Sequence, residues 1–123
     1  MDRPLAGRVI LIIEDEAMIA LDLQTTLEGV GAKVMIARTV AAALVEAENP
    51  NLSAAIVDHA LSDGDSSELC QLLRKRNVPF VVYTGYTELS GACAKGAHVN
   101  KPAPPELLVA TVQGLLASRP ILN

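Results

Sequence analysis

Short unbroken apolar runs alternate along this chain with stretches in which apolar residues recur every three or four positions. Arg8 to Ile13, Lys33 to Ala37, Ser53 to Asp58 and Val78 to Tyr83 are of the first kind, and Ala97 to Asn100 is a shorter fifth strand closed by Lys101-Pro102. The first and third runs, rich in branched residues and lacking polar alternation, predict strands buried on both faces of a sheet. Between them, Ala17, Ile19, Ala20, Leu23 and Leu27 mark a first helix that ends at Gly29 or Gly31. Thr39 is placed to cap a second, alanine-rich helix running to about Glu48, before Asn49-Pro50-Asn51. Asp65 and Glu68 have capping-box spacing at the head of a third helix carrying Leu69, Leu72 and Leu73. Thr87 to Gly96 makes a weak fourth helix, because Gly91 interrupts it. Pro104-Pro105-Glu106 opens a last helix with Leu107, Leu108, Ala110, Thr111, Leu115 and Leu116 on its apolar side.

Strands alternating with helical segments in this way predict an α/β fold with parallel pairing, right-handed crossovers and helices on both faces. No repeat, linker or low-complexity stretch divides the 123 residues, so 1–123 is expected to be a single domain with no output domain. Half of the residues are hydrophobic, yet Phe80, Tyr83 and Tyr86 are the only aromatic ones, which leaves Val, Ile, Leu and Ala to build the core. No apolar run nears the roughly 20 residues that cross a membrane. Met1 to Leu5 also lacks the apolar stretch of a signal peptide, and a cytoplasmic protein without membrane insertion is expected. Net charge is −4. The basic triplet Arg74-Lys75-Arg76 is expected to be the solvated end of the third helix, not a nucleic-acid patch. Cys70 and Cys93 lie in separate predicted helices, lack the spacing of a zinc site and are expected to be two reduced thiols, packed or idle, rather than a disulfide.

In a parallel sheet, ligands collect at the carboxyl ends of the strands. There the first strand delivers Glu14 and Asp15, the third Asp58, the fourth Thr84 and the fifth Lys101. Taken singly, these could be helix-start acids, a turn residue, a strand end and a surface lysine. Taken together at one edge, three carboxylates would repel each other unless a cation were present. Hard oxygen ligands in small number suit Mg²⁺, or another divalent such as Mn²⁺, which takes one or two carboxylates plus a phosphate oxygen. Lysine is a mobile point charge for phosphate, and threonine adds a hydroxyl. The set predicts a site that moves a phosphoryl group onto an aspartate.

Ile12-Ile13-Glu14-Asp15-Glu16, Val57-Asp58 followed by Leu61, Thr84-Gly85 and Lys101-Pro102 resemble the receiver domain of two-component response regulators over nearly the whole chain. Pro79-Phe80 leading to Thr84-Gly85-Tyr86 is similar to single-domain receivers of alphaproteobacteria. The resemblance implies a flavodoxin-like (βα)5 three-layer sandwich with strand order 2-1-3-4-5. It implies that Asp58 accepts phosphate from a histidine kinase or a histidine phosphotransfer protein. Asp15 and Asp58 then ligate Mg²⁺, Glu14 acts through a water, and the Ala60 backbone carbonyl supplies another oxygen. Lys101 pairs with the phosphoryl group, Thr84 moves to hydrogen-bond it, and the Lys101-Pro102 peptide is cis.

Some positions depart from the family pattern. His98 stands where receivers usually carry the Tyr or Phe that swings inward, and an imidazole there is an alternative switch or a resting surface group. Tyr86 is a second switch candidate beside Thr84. Ser62 replaces a common proline, and Ala60 has no side chain to position an attacking water. The stretch between Thr84 and Lys101 is short, so the fourth helix is expected to be short or irregular. A haloacid-dehalogenase-like phosphatase would need an acid at position 60. A flavodoxin or nucleotide-binding domain would need a phosphate-cradling or glycine-rich loop where Glu14-Asp15-Glu16 stands. The function expected is two-component phosphorelay signalling by a phospho-acceptor switch that assists its own phosphorylation and dephosphorylation and is not an enzyme on a free substrate. Its signal leaves by contact with a downstream protein, and it is expected to be a monomer or weak homodimer that does not bind nucleic acid directly. The alternative is a receiver-like binding module that works without phosphorylation.

Overall fold

The five apolar runs pair into one parallel sheet in a computed structural model that describes residues 4–58, 60–61, 64–85 and 91–117. In chain order the strands are β1 (Val9–Ile13), β2 (Lys33–Ala37), β3 (Ala54–Val57), β4 (Phe80–Thr84) and β5 (Ala97–Asn100). Laterally they run β2-β1-β3-β4-β5. Ile13 stands opposite both Ala37 and Val57, Val57 opposite Val82, and Thr84 opposite Asn100. This register lets neighbouring strands finish close together, so residues just past each strand share one edge.

Four α-helices flank the sheet among the described residues: α1 (Ala17–Gly29), α2 (Val40–Glu46), α3 (Ser67–Lys75) and α4 (Pro105–Ala117). Alternation along the strands assigns the two faces. Ile10, Ile12, Ile56, Val81 and Tyr83 pack with Leu23 and Leu27 of α1 and Leu108 and Val112 of α4. Leu11, Ile13, Val57, Phe80 and Val82 pack on the other side with Ala43 of α2 and Leu69 and Leu73 of α3. The result is the expected three-layer sandwich.

Helix ends follow local chemistry. Thr39 caps α2, its side chain accepting from the Ala42 N–H. Gly31, at φ 102°, closes α1 by donating to the Glu28 carbonyl while Ala32 donates to Leu27. Asn77, at φ 59°, closes α3 in the same way, through Asn77 to Arg74 and Val78 to Leu73. Both are Schellman turns, in which a left-handed residue satisfies the last helical carbonyls.

Three expectations need correction. The capping box at Asp65 does not form: Asp65 belongs to a hairpin of two-residue strands, Ala60–Leu61 against Gly64–Asp65, and the helix starts one turn position later. Ser66 is the N-cap residue without a side-chain capping bond, because its buried hydroxyl turns toward the Cys93 sulfur at 3.9 Å. The basic triplet is not wholly solvated. Arg74 and Lys75 are exposed, but Arg76 donates to the carbonyls of Ala47 and Asn49, tying the end of α3 to the segment before β3.

The cysteines are the third correction. Cys70 on α3 and Cys93 are joined by a disulfide across 23 residues, with a Cα–Cα separation of 5.1 Å, and both are fully buried. The sequence placed them in separate helical segments, and helical period says nothing about whether two such segments meet. Of the fourth helical segment, Gly91–Lys95 forms a 3-10 turn, while Thr87 to Ser90 lie outside the described residues. The turn leads through Gly96 into β5, and a Cβ added at Gly96 would clash with the ring of the buried Phe80. Gly96→Ala is therefore expected to cost about 1–3 kcal/mol through overpacking. Urea unfolding reads it, and pairing it with Phe80→Leu should restore part of the loss.

Candidate functional site

The ends of the strands are held in place by bonds that continue the ladder by one residue. The Glu14 N–H donates to the Ala37 carbonyl at 3.0 Å, and the Asp58 N–H to the Ile13 carbonyl at 2.9 Å. Glu14 and Asp58 thus sit side by side at the carboxyl edge, only 2% and 7% exposed. Asp15 follows, half-buried, and its backbone carbonyl accepts from Arg38. Because α1 begins only at Ala17, with Glu16 as its N-cap residue, no helix cap accounts for Glu14 and Asp15.

Lys101 reaches the same pair from β5. Its Nζ lies 3.2 Å from Asp58 Oδ2 and 3.4 Å from Glu14 Oε1. The Lys101–Pro102 peptide is cis, as expected. Tyr83 supports this lysine, with its ring centroid 5.2 Å from Nζ. The Tyr83 hydroxyl donates to the Ala103 carbonyl at 3.2 Å and accepts from the Ala103 N–H at 3.3 Å, anchoring the turn that carries Lys101. Sequence reading did not assign Tyr83 a part. Its signal was a lone aromatic beside Thr84 in a strand otherwise aliphatic after Phe80.

Glu14, Asp15 and Asp58 each offer a carboxylate oxygen within 4.8 Å of one another. Glu14 Oε2 is buried without a hydrogen-bond partner. An orphaned buried carboxylate oxygen costs free energy, and a hard divalent cation would satisfy it. The donor set therefore fits Mg²⁺ or Mn²⁺. Thr84 ends β4 opposite Asn100, and Ala60 begins the hairpin two residues beyond Asp58. His98 is exposed, opposite Val82, and takes no part in the acid cluster. Tyr86 and Ser62 lie outside the described residues.

Burial, then hydrogen bonding and repulsion from Asp58, push the Glu14 carboxyl from 4.5 up to about 8, against the lowering pull of Lys101. Burial alone would lower the Lys101 ammonium, but the charges of Asp58 and Glu14 outweigh it and hold the pKa above its ordinary value. Between pH 4.5 and about 8 the folded chain keeps a Glu14 proton that the unfolded chain has released. Metal-free stability is thus expected to fall as pH rises through that window, on the order of 1 kcal/mol per pH unit, and to level off above it. The Lys101 contribution is present throughout this window, being lost only at higher pH. Thermal melts in a chelator from pH 5 to about 9 check the slope, which Glu14→Gln should flatten and saturating Mg²⁺ should weaken. An equal slope in Glu14→Gln would remove Glu14 as its source.

Residues 10–113 match the family model of the response regulator receiver domain. The chain belongs to that family. It is 35% identical over 114 residues to the phyllosphere-induced regulator PhyR of Methylorubrum extorquens. It is 38% identical over 86 residues to the KDP operon transcriptional regulatory protein KdpE of Escherichia coli. These matches cover 87% and 69% of this receiver but 43% and 38% of the relatives, so the chain spans about two-fifths of their length. Among solved structures, a CheY-like receiver domain protein from Methanospirillum hungatei has a TM-score of 0.82 at 28% identity, covering 92% of this chain and 96% of that one. A response regulator receiver protein from Sinorhizobium medicae shares the fold with a TM-score of 0.83 at 24% identity, covering 93% and 98%. Receivers are phospho-acceptor switches of two-component signalling, bind Mg²⁺ at an acidic pocket and meet histidine kinases and downstream proteins. Among the described residues no helix is long and apolar enough to cross a membrane.

Proposed function

We propose that this receiver takes a phosphoryl group onto Asp58 from a histidine kinase or histidine phosphotransfer protein and changes its protein contacts in response. The observation that carries this reading is the placement of Lys101 Nζ between Asp58 and Glu14, beside the three-carboxylate cluster. An Asp58 carboxylate oxygen attacks phosphorus, the bond from phosphorus to the donor nitrogen breaks, and the leaving imidazole takes a proton from solvent. Lys101 holds Asp58 at the open edge and offers its ammonium to the incoming phosphoryl oxygens. Thr84, at the end of β4, supplies a hydroxyl to the same group. Glu14, Asp15 and Asp58, with the Ala60 carbonyl, would hold Mg²⁺, whose chemistry is to offset the charge of the phosphoryl oxygens. A doubly negative group at Asp58 then favours the arrangement in which Thr84 and Lys101 close on it, remodelling the loops after β3 and β4. Tyr86 and His98 are the side chains proposed to report that change to a partner protein.

The direct test is intact mass after incubation with a low-molecular-weight acyl phosphate. A gain of one phosphoryl group that requires Mg²⁺ or Mn²⁺ is expected. Binding of the divalent cation with no gain would overturn the reading in favour of a module that works without phosphorylation.

A further inference from the structure

We propose that Cys70 and Cys93 are a thiol–disulfide modification site, a redox-operated clasp that holds the 3-10 turn after β4 against α3. What the clasp controls rests on the receiver reading above; its existence does not. Three observations lead to it. Both sulfurs are fully buried and their Cα atoms are 5.1 Å apart, within the range that a disulfide spans. Cys93 sits in the segment between Thr84 and Lys101, the two residues proposed to close on a phosphoryl group. Its described part includes a 3-10 turn over Gly91–Lys95, a form with poorer hydrogen-bond geometry than an α-helix, its exit held by a 3.3 Å bond from the Gly96 N–H to the Cys93 carbonyl. A covalent tie at the middle of this turn fixes it to the helix α3.

The site is also built to open. Ala94 and Lys95 beside Cys93 are exposed and Ala92 is only half-buried, so displacement of this one turn uncovers the sulfur without unfolding the sheet. Where thiols keep a compartment reducing, a disulfide between such residues is typically transient and responsive, not structural. Closure proceeds by exchange with a low-molecular-weight disulfide. The Cys93 thiolate attacks one sulfur of the small disulfide, forming a mixed disulfide and releasing one small thiolate. Cys70 then attacks the Cys93 sulfur and releases the second. Two protein thiols and one small disulfide give the protein disulfide and two small thiols, which carry away the two thiol protons. Excess small thiol runs the sequence backwards.

The full chain should be equilibrated in glutathione mixtures from fully reduced to fully oxidised, quenched in acid and alkylated. Intact mass is expected to pass in one transition from two alkylated cysteines to none. Amide hydrogen exchange over residues 91–95 should slow by about tenfold or more across the same transition. Cys70→Ser should exchange like the reduced wild type at every ratio; if it does not fold, reduced wild type serves as the open reference. Two alkylated cysteines at every ratio, or equal exchange in both forms, would overturn the clasp. The same two forms are then treated with acyl phosphate and Mg²⁺. The phosphorylation-dependent change in exchange at 91–95 should be about threefold smaller or less in the oxidised form. Equal changes would overturn control of the switch by the clasp. Phosphoryl uptake by neither form would instead sink the phospho-acceptor reading, while alkylation and exchange still decide the clasp.

Discussion

Asp58→Asn is expected to abolish phosphoryl uptake while leaving the fold intact. The substitution keeps the planar shape at the end of β3 and the backbone bond from Asp58 to Ile13. It removes the carboxylate oxygen that attacks phosphorus, and an amide oxygen is too weak a nucleophile to replace it. It also removes one of the three carboxylates of the candidate cation site. Wild type and variant should be compared by intact mass after the same acyl phosphate and Mg²⁺ treatment, with a gain of one group in the wild type alone. A gain in both would place the acceptor elsewhere. The variant carries a second signature: since Asp58 repels and hydrogen-bonds the Glu14 carboxyl, its loss should bring the Glu14 pKa down from about 8. The metal-free stability slope between pH 5 and 8 should then become shallower, separating a local electrostatic change from a misfolded protein.

Lys101→Met is expected to have the second-largest effect, and to show it in stability as well as chemistry. Lys101 is the cation bonded to both Glu14 and Asp58, and Glu14 is almost wholly buried. Removing one partner of a buried ion pair costs about 3–5 kcal/mol when the remaining charge has no escape. Here Glu14 can hold a proton, and Lys101 is itself 24% exposed, which together reduce the expected loss to about 1–3 kcal/mol near neutral pH. The loss should grow as pH rises and Glu14 is forced to ionise. Saturating Mg²⁺ should recover most of it, because the cation takes over the carboxylates that Lys101 leaves. Phosphoryl uptake should slow by about 100- to 1000-fold, the usual effect of deleting one group that offsets charge on the reacting oxygens. Urea unfolding with and without Mg²⁺ reads the first effect and the rate of mass gain the second. A stability loss that does not change with pH would mean that Lys101 acts by packing, not by charge.

The route to the site shows which kinds of information are local. Glu14, Asp15, Asp58 and Lys101 could be placed at one edge because each stands at the carboxyl end of a predicted strand, and parallel strands bring such positions together. The buried runs themselves, Ile10 to Ile13 and Ala54 to Val57, are unbroken because both faces of β1 and β3 are covered. Asp65 misled as a capping residue, since the same polar spacing also serves a hairpin, and the hydroxyl of Ser66 turned to the interior. Tyr83 was legible as a core residue, but its bonds to Ala103 depend on where the turn after Lys101 folds back.

By itself the sequence determined the alternation of strands and helices and the acids and lysine at the strand tips. These follow from hydrophobic period, turn residues and motif spacing, all of which act over a few neighbouring residues. Only the tertiary structure decided that Cys70 meets Cys93, that Arg76 holds the segment before β3, and that Glu14 is buried deeply enough to keep its proton near neutral pH. Each of those depends on which faces of distant elements come into contact and how much water they exclude, and periodicity reports that a face is covered without saying by what.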